Sequence, residues 1–196
     1  SLMTFFGHAS GNSFDQNIDY AYNYNNTGKY PLVLANSCFT GDIHEPVGNS
    51  QSSTSEDWVL IPNKGSIGFI AAVSKSVISY LDYYSSSFYN NISAINYNKS
   101  IGYCMQQTVA SIQNPVDKFT TSTCLEMSLH GDPSIKMNSH TLPDYAIDNS
   151  SVYFTPGIVT TSTPTDSFNV NVVITNIGKA QNELVNVELK RTFPNG

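Results

Sequence analysis

The chain has 196 residues, 40% of them hydrophobic and 12% aromatic, with a net charge of −6. That is apolar material for one large domain, or for one domain and part of another; it offers no basic footprint for nucleic acid and no apolar run near the roughly 18 residues that span a membrane. Charged residues make up only 12%, about half the ordinary share of roughly 25%, and the excess of Asn, Ser, Thr and Tyr suits a secreted or surface protein.

Two short apolar runs come first, Leu2-Met3-Thr4-Phe5-Phe6 and Tyr30-Pro31-Leu32-Val33-Leu34-Ala35. Each has the length and turn-bounded edges of a buried strand. Each stops at a reactive side chain among small residues: Gly7-His8-Ala9-Ser10-Gly11 after the first, Asn36-Ser37-Cys38-Phe39-Thr40-Gly41 after the second. Residues 11–29 between them are polar and aromatic, with a short helix expected near Asp15 to Tyr22. This connection is long enough for the crossover that parallel strands require. No signal peptide precedes the first run, and the chain is expected to be an internal fragment or a trimmed piece.

Residues 42–56 read as a surface loop beside the second strand end, where loops commonly shape a pocket. A helix is predicted from Ser55-Glu56-Asp57 to Ile61, with acids in its first turn. Ser66-Ile67-Gly68-Phe69-Ile70-Ala71-Ala72-Val73 is a third buried strand, and Ser74-Lys75-Ser76 follows at its carboxyl end, where substrate contacts are expected. Residues 77–96 space Tyr80, Leu81, Tyr83, Tyr84, Phe88, Tyr89, Ile92 and Ile95 as an amphipathic helix with an aromatic face, and a packed core stripe is the plain reading of that face. A second helix is predicted over 100–113, ended by Asn114-Pro115. Residues 124–129 read as a short strand, His130-Gly131-Asp132-Pro133 as a tight turn that His130 stabilises, and residues 134–137 as another short strand.

The pattern changes near Thr141-Leu142-Pro143-Asp144. Residues 167–176 alternate with period two, as do 184–191, and Val152-Tyr153-Phe154 and Ile158-Val159 look like shorter strands. These predict a domain over 1–142 and the beginning of an all-β sandwich over 143–196. Some fifty residues are fewer than such a sandwich's usual seven strands need, so it is expected to be incomplete, with an exposed edge.

Three cysteines leave at least one free thiol, and no C-x-x-C pair marks a zinc site. Cys104 and Cys124 lie in apolar patterns and read as buried thiols behaving as small hydrophobes; a bridge between them is not deducible from spacing. Cys38 and His8, thirty positions apart, fit a thiolate nucleophile with its general base. In that reading the amides of Ala9 and Cys38 are the donors to the oxyanion. On these residues alone, the plainer reading of Cys38 is a buried core thiol. Asp42, His44 and Glu45 are loop residues with a weaker claim on substrate or metal. Asn25, Asn91, Asn98 and Asn149 stand in Asn-x-Ser/Thr sequons.

The Gly-His-Ala-Ser motif after one strand, and Asn-Ser-Cys-Phe-Thr-Gly after the next, resemble the gingipain-type cysteine peptidases of family C25, which have a caspase-like fold. The residues 65–72 strand and the Leu129-His130-Gly131-Asp132-Pro133-Ser134 turn also resemble that family. The tail is similar to the Ig-like domain that follows its catalytic domain, and the Asn176-Ile177-Gly178 turn resembles adhesion-type Ig modules of Bacteroidetes surface proteins. The resemblance implies an α/β fold, a mostly parallel sheet flanked by helices, covering the C-terminal part of the peptidase domain. It implies Cys38 as nucleophile, His8 as proton carrier and a protein or peptide as substrate. It implies location at the cell surface or in the medium, with some relatives acting in type IX secretion. No cofactor or catalytic metal is implied, and a structural calcium has no assignable ligands here. Ala9 replaces a common Gly without removing the backbone amide. The family's upstream half, which supplies the first strands and an acid orienting the His, is not in this sequence. The rival expectation is a catalytically silent surface or adhesion protein on a peptidase-like scaffold; a third is glycan binding by the aromatic-rich face.

Overall fold

Leu32, Val33, Leu34, Ala35 and Asn36 are all buried, which requires cover on both faces of their strand and a neighbour at each edge. The structure, a computed structural model, describes residues 1–11, 13–15, 20–44, 52–155, 167–190 and 192. In chain order its elements are β1 (Leu2–Phe6), β2 (Ala9–Ser10), β3 (Ser13–Phe14), β4 (Leu32–Asn36), α1 (Thr54–Leu60), β5 (Gly68–Ala72), α2 (Ile78–Asn90), α3 (Ile101–Ile112), α4 (Lys118–Glu126), β6 (Met127–Gly131), β7 (Tyr145–Ala146), β8 (Val152–Thr155), β9 (Asn169–Val172) and β10 (Thr175–Asn176). The chain forms two compact units, Ser1–Ser139 and His140–Gly196.

The first unit is built on a four-stranded sheet in the order β1-β4-β5-β6. β1, β4 and β5 are parallel, and β6 is antiparallel to β5. This is the expected α/β architecture with a mainly parallel sheet. The period of two along each strand divides the core. Leu32, Leu34, Ile70 and Ala72 face Leu81, Tyr84 and Phe88 of α2 and Ile101, Cys104 and Ile112 of α3. Val33, Ala35, Phe69 and Ala71 face Trp58 of α1 and Ala21. Of the predicted stripe, Leu81, Tyr84, Phe88 and Ile92 are core with Tyr89 packed against them, while Tyr83 and Ile95 are exposed. All three cysteines are free; Cys104 and Cys124 are buried, and burial pushes both thiols up.

Four expectations are corrected here. β1 is buried only in part: Phe5 is buried, but Leu2 and Phe6 are exposed, and among the described residues its partner strand is β4. The predicted strand over 124–129 begins instead as α4, which runs to Glu126 before β6. Its Thr-rich start, Lys118-Phe119-Thr120-Thr121-Ser122-Thr123, has weak helix propensity. What holds it is the cap: Asp117 accepts from the amides of Phe119 at 3.0 Å and Thr120 at 3.4 Å, and from the Thr120 hydroxyl at 2.8 Å. Residues 134–137 form no strand. Their backbone is held by α3, whose first two amides, otherwise orphaned at a helix start, donate from Ile101 to Ile135 O at 2.8 Å and from Gly102 to Pro133 O at 3.0 Å. His130 lies on β6 opposite Phe69 rather than in a turn; the turn is secured by Asp132, which accepts from the Ser134 amide at 2.8 Å.

Smaller differences have local causes. α1 starts one residue early, because Ser53 forms the capping box with Glu56. α2 loosens after Asn90 into a wide turn over Asn91–Ile95. There the buried Asn91 amide donates to Ser87 O at 3.0 Å and Thr108 Oγ1 at 3.3 Å. Its sequon is thereby sealed in the fold. A short helical turn, Ala21–Asn23, stands where a helix near Asp15 to Tyr22 is expected; residues 16–19 lie outside the described residues.

In the second unit β8 pairs with β9 and β7 with β10, each antiparallel. The predicted strand over 167–176 is thus two strands with different partners. Residues 184–190 form no strand, and Leu184, Val187 and Leu189 are exposed. A period-two pattern makes a strand only where a partner accepts its hydrogen bonds. Ile158-Val159 lies outside the described residues.

Two measurements check this account. The Tyr84 hydroxyl is buried without a partner, and burial, with Cys124 nearby, pushes the phenol far up. Tyr84→Phe removes an unsatisfied group and no hydrogen bond, so urea unfolding should give a stability equal to the parent or up to about 1 kcal/mol higher. The Thr120 hydroxyl, with the Tyr80 hydroxyl and two amides, holds the Asp117 carboxyl below its ordinary value of 3.8. Its folded value is depressed, so its contribution is present above the unfolded pKa and fades as pH falls through the folded one. Asp117→Ala should lower the thermal midpoint at neutral pH and shrink the loss seen on acidification.

Candidate active site

The carboxyl ends of β1 and β4 leave the sheet side by side, with Phe6 in register with Asn36. His8 and Cys38 each follow that rung by two residues. In an open parallel sheet this is the edge where ligands bind. The ladder extends one step further, since the Gly7 amide donates to Asn36 O at 3.2 Å. The chain then turns back as β2 and β3, with Ala9 opposite Phe14 and the Asp15 amide on His8 O at 3.0 Å. His8 is exposed on this turn, and Ala9 is half-buried beside it.

Cys38 stands on a sharp elbow. Phe39, the next residue, has φ 61°, a left-handed conformation that costs a non-glycine residue about 1 kcal/mol. The surroundings enforce it. The Phe39 amide donates to Ser74 O at 3.1 Å, the Gly41 amide to Ala72 O at 3.0 Å and the Asp42 amide to Phe39 O at 2.9 Å. The buried hydroxyls of Ser37 and Thr40 meet at 2.9 Å across the turn. Below it, Asn36 accepts from Ser85 of α2 at 2.5 Å, while its amide nitrogen is buried and unpartnered. Such an elbow lifts a side chain out of the strand and presents it at the sheet's edge.

The Cys38 sulfur, half-buried, is held by one residue. The Ser76 amide donates to Sγ at 3.4 Å, and Sγ lies 3.8 Å from Ser76 O as a donor. Among the described residues no hydrogen bond joins the His8 ring to the sulfur. Ser76 belongs to the stretch that follows β5, the next parallel strand, so its place at a strand's carboxyl end is readable in the sequence. Its partner is not: the Ser76 hydroxyl donates to Glu126 at 3.4 Å, from a helix end that sequence patterning hides.

The remaining candidates separate. The exposed His44 donates its amide to Asp42 Oδ1 at 3.0 Å; Glu45 lies outside the described residues. The His130 ring has a buried, unpartnered Nδ1, and burial pushes its pKa down, against the pull of Glu56. Among the described residues no group of three or more His, Cys, Asp or Glu is arranged to hold a metal.

A parallel α/β sheet with a thiol on an elbow at the carboxyl end of one strand, and a histidine beyond the next, defines a class of cysteine-centred sites. The sequence matches Peptidase family C25 over residues 1–138, and the chain belongs to that family. Its fold is similar to that of the Arg-specific cysteine proteinase gingipain R, with a TM-score of 0.59 and 16% identity over 79% of this chain and 39% of that one. It is likewise similar to the complex of Porphyromonas gingivalis RgpB pro- and mature domains, at 0.59 and 15%, over 79% of this chain and 40% of that one. The chain thus spans about two-fifths of the length of these structures. No curated protein matches the sequence.

The elbow leaves no room at Gly41, where an added Cβ would lie 2.9 Å from the Ala71 carbonyl oxygen. Gly41→Ala must part the ends of β4 and β5 and should cost about 1–3 kcal/mol, read as a fall in the unfolding midpoint.

Proposed function

We propose that this chain carries the nucleophile and base of a secreted or surface cysteine endopeptidase. The observation that carries the proposal is the common register of His8 and Cys38 beyond Phe6 and Asn36, in a chain of family C25. Cys38 Sγ attacks the carbonyl carbon of a peptide bond as its proton passes to the His8 ring. The carbonyl oxygen becomes an oxyanion, for which the amides of Ala9 and Cys38 are the donors. Collapse of the tetrahedral species breaks the C–N bond, His8 protonates the leaving amine, and a thioester remains. His8 then takes a proton from water, whose attack on the thioester returns the thiol and releases the acid. The resting arrangement, without a His8–Cys38 hydrogen bond, is compatible with this sequence, because catalytic contacts often tighten only with substrate bound.

Residues 1–142 are read as the C-terminal part of the peptidase domain and 143–196 as part of an Ig-like module. The negative charge and the polar composition support display at a surface or release into the medium. Among the described residues no helix is long and apolar enough to cross a membrane.

In the intact protein, Cys38→Ala and His8→Ala should each lower kcat for peptide hydrolysis by roughly 10³-fold or more, and the double variant should be no worse than Cys38→Ala, as for groups acting as a unit. A thiol-reactive peptidyl inhibitor should label Cys38 faster than a free thiol. Hydrolysis that survives Cys38→Ala would overturn this reading, and an intact parent that hydrolyses no peptide, with Cys38 labelled at the free-thiol rate, would show instead a silent scaffold.

A further inference from the structure

Glu126 stands at the end of α4, fifty residues from Ser76, and grips both ends of the four-residue stretch that follows β5. Its main-chain oxygen accepts from the Val73 amide at 3.0 Å. Its carboxylate accepts from the Ser76 hydroxyl at 3.4 Å through Oε2. The other oxygen, Oε1, accepts from the Ser122 hydroxyl at 2.6 Å, which fixes the carboxylate's orientation on its own helix. Between the two grips, Ser74 O accepts from the Phe39 amide and so supports the left-handed residue behind the nucleophile.

The far end of the stretch matters most. Ser76 presents both its amide and its carbonyl to the Cys38 sulfur. A displacement of Ser76 therefore moves the sulfur's hydrogen-bond partners directly. Its own side chain is held there by the bond from its hydroxyl to Glu126. Lys75 and Val77 on either side are exposed.

We propose that Glu126 is a positioning residue for the Cys38 nucleophile, acting through the Ser76 hydroxyl to hold the Ser76 amide on the sulfur. The inference rests on the peptidase reading of Cys38. Among the described residues no hydrogen bond joins Glu126 to the sulfur; its action is on the geometry of the donor. Its structural role is separable, because the main-chain bond to Val73 and the β5–β6 ladder, Ala72 opposite Met127, do not depend on the carboxylate.

The test uses the intact protein and the variants Glu126→Ala, Glu126→Gln, Ser76→Ala, the double alanine variant and Cys38→Ala. Glu126→Ala and Ser76→Ala should each lower kcat about 10- to 100-fold, the scale of an ångström-sized misplacement, with KM within about two-fold of the parent. Glu126→Gln keeps an acceptor for Ser76 and should recover most of the loss. The double variant should be no slower than the worse single one, since both remove the same contact. Alkylation of Cys38 by iodoacetamide, followed by mass spectrometry, should rank the variants in the same order without substrate. Parent-like kcat and alkylation in Glu126→Ala overturn the inference. So does a glutamine variant no better than alanine, or losses that multiply in the double variant. Failure of the peptidase reading is separate: it shows as hydrolysis surviving Cys38→Ala, and the alkylation series still decides the Glu126 contact.

Discussion

Burial of β4 on both faces, with a parallel neighbour at each edge, is the constraint on which the rest of the first unit depends. Leu32, Leu34 and Asn36 point to α2 and α3, and Val33 and Ala35 to α1 and Ala21. A slip of one residue would exchange these sets and carry Asn36 to the apolar side. The register is thus fixed by the core, and the site inherits it. His8 and Cys38 fall beyond the same rung because Phe6 and Asn36 are opposed, and they are opposed because the side chains beneath them fit only one way.

The elbow at Cys38 shows how a sheet supports a strained residue. Phe39 has no glycine-like freedom, and its conformation persists through bonds to Ala72 O at the end of β5 and Ser74 O just after it, and through the Ser37–Thr40 pair within the turn. Strain of this kind is stored where the neighbours over-determine it. The same stretch supplies Ser76 to the sulfur. One connection after one strand thereby supports the elbow that carries Cys38 and supplies the donor beside its sulfur. The stretch is in turn held by the end of α4, so that a site built on strand ends is referred back to a helix on the sheet's flank.

Where patterning was weak, tertiary contacts decided the outcome. The two long helices and the central strands were legible because their apolar spacing is long and regular. α4 was not, since Thr120, Ser122 and Thr123 favour caps and turns over helix interiors, and its start depends on Asp117 accepting three hydrogen bonds. The alternation over 184–190 was plain in the sequence, yet no strand forms there, because nothing pairs with it among the described residues. His130 looked like a turn residue from its Gly-Asp-Pro neighbours, but the chain pairs it with Phe69 and leaves the turn to Asp132.

By itself the sequence determined the class of fold, the strand–crossover–strand order, and the two reactive residues, because buried strands and small-residue turns are local patterns. The residue types at His8, Ala9 and Cys38 were equally local. Only the tertiary structure decided that Ser76 sits on the sulfur and that Glu126 holds Ser76. Those facts join residues 38 and 50 positions apart, and nothing in a local pattern records which distant hydroxyl meets which carboxylate. Such pairings follow from the packing of α4 and β5 against one another, and they exist only once the chain has folded.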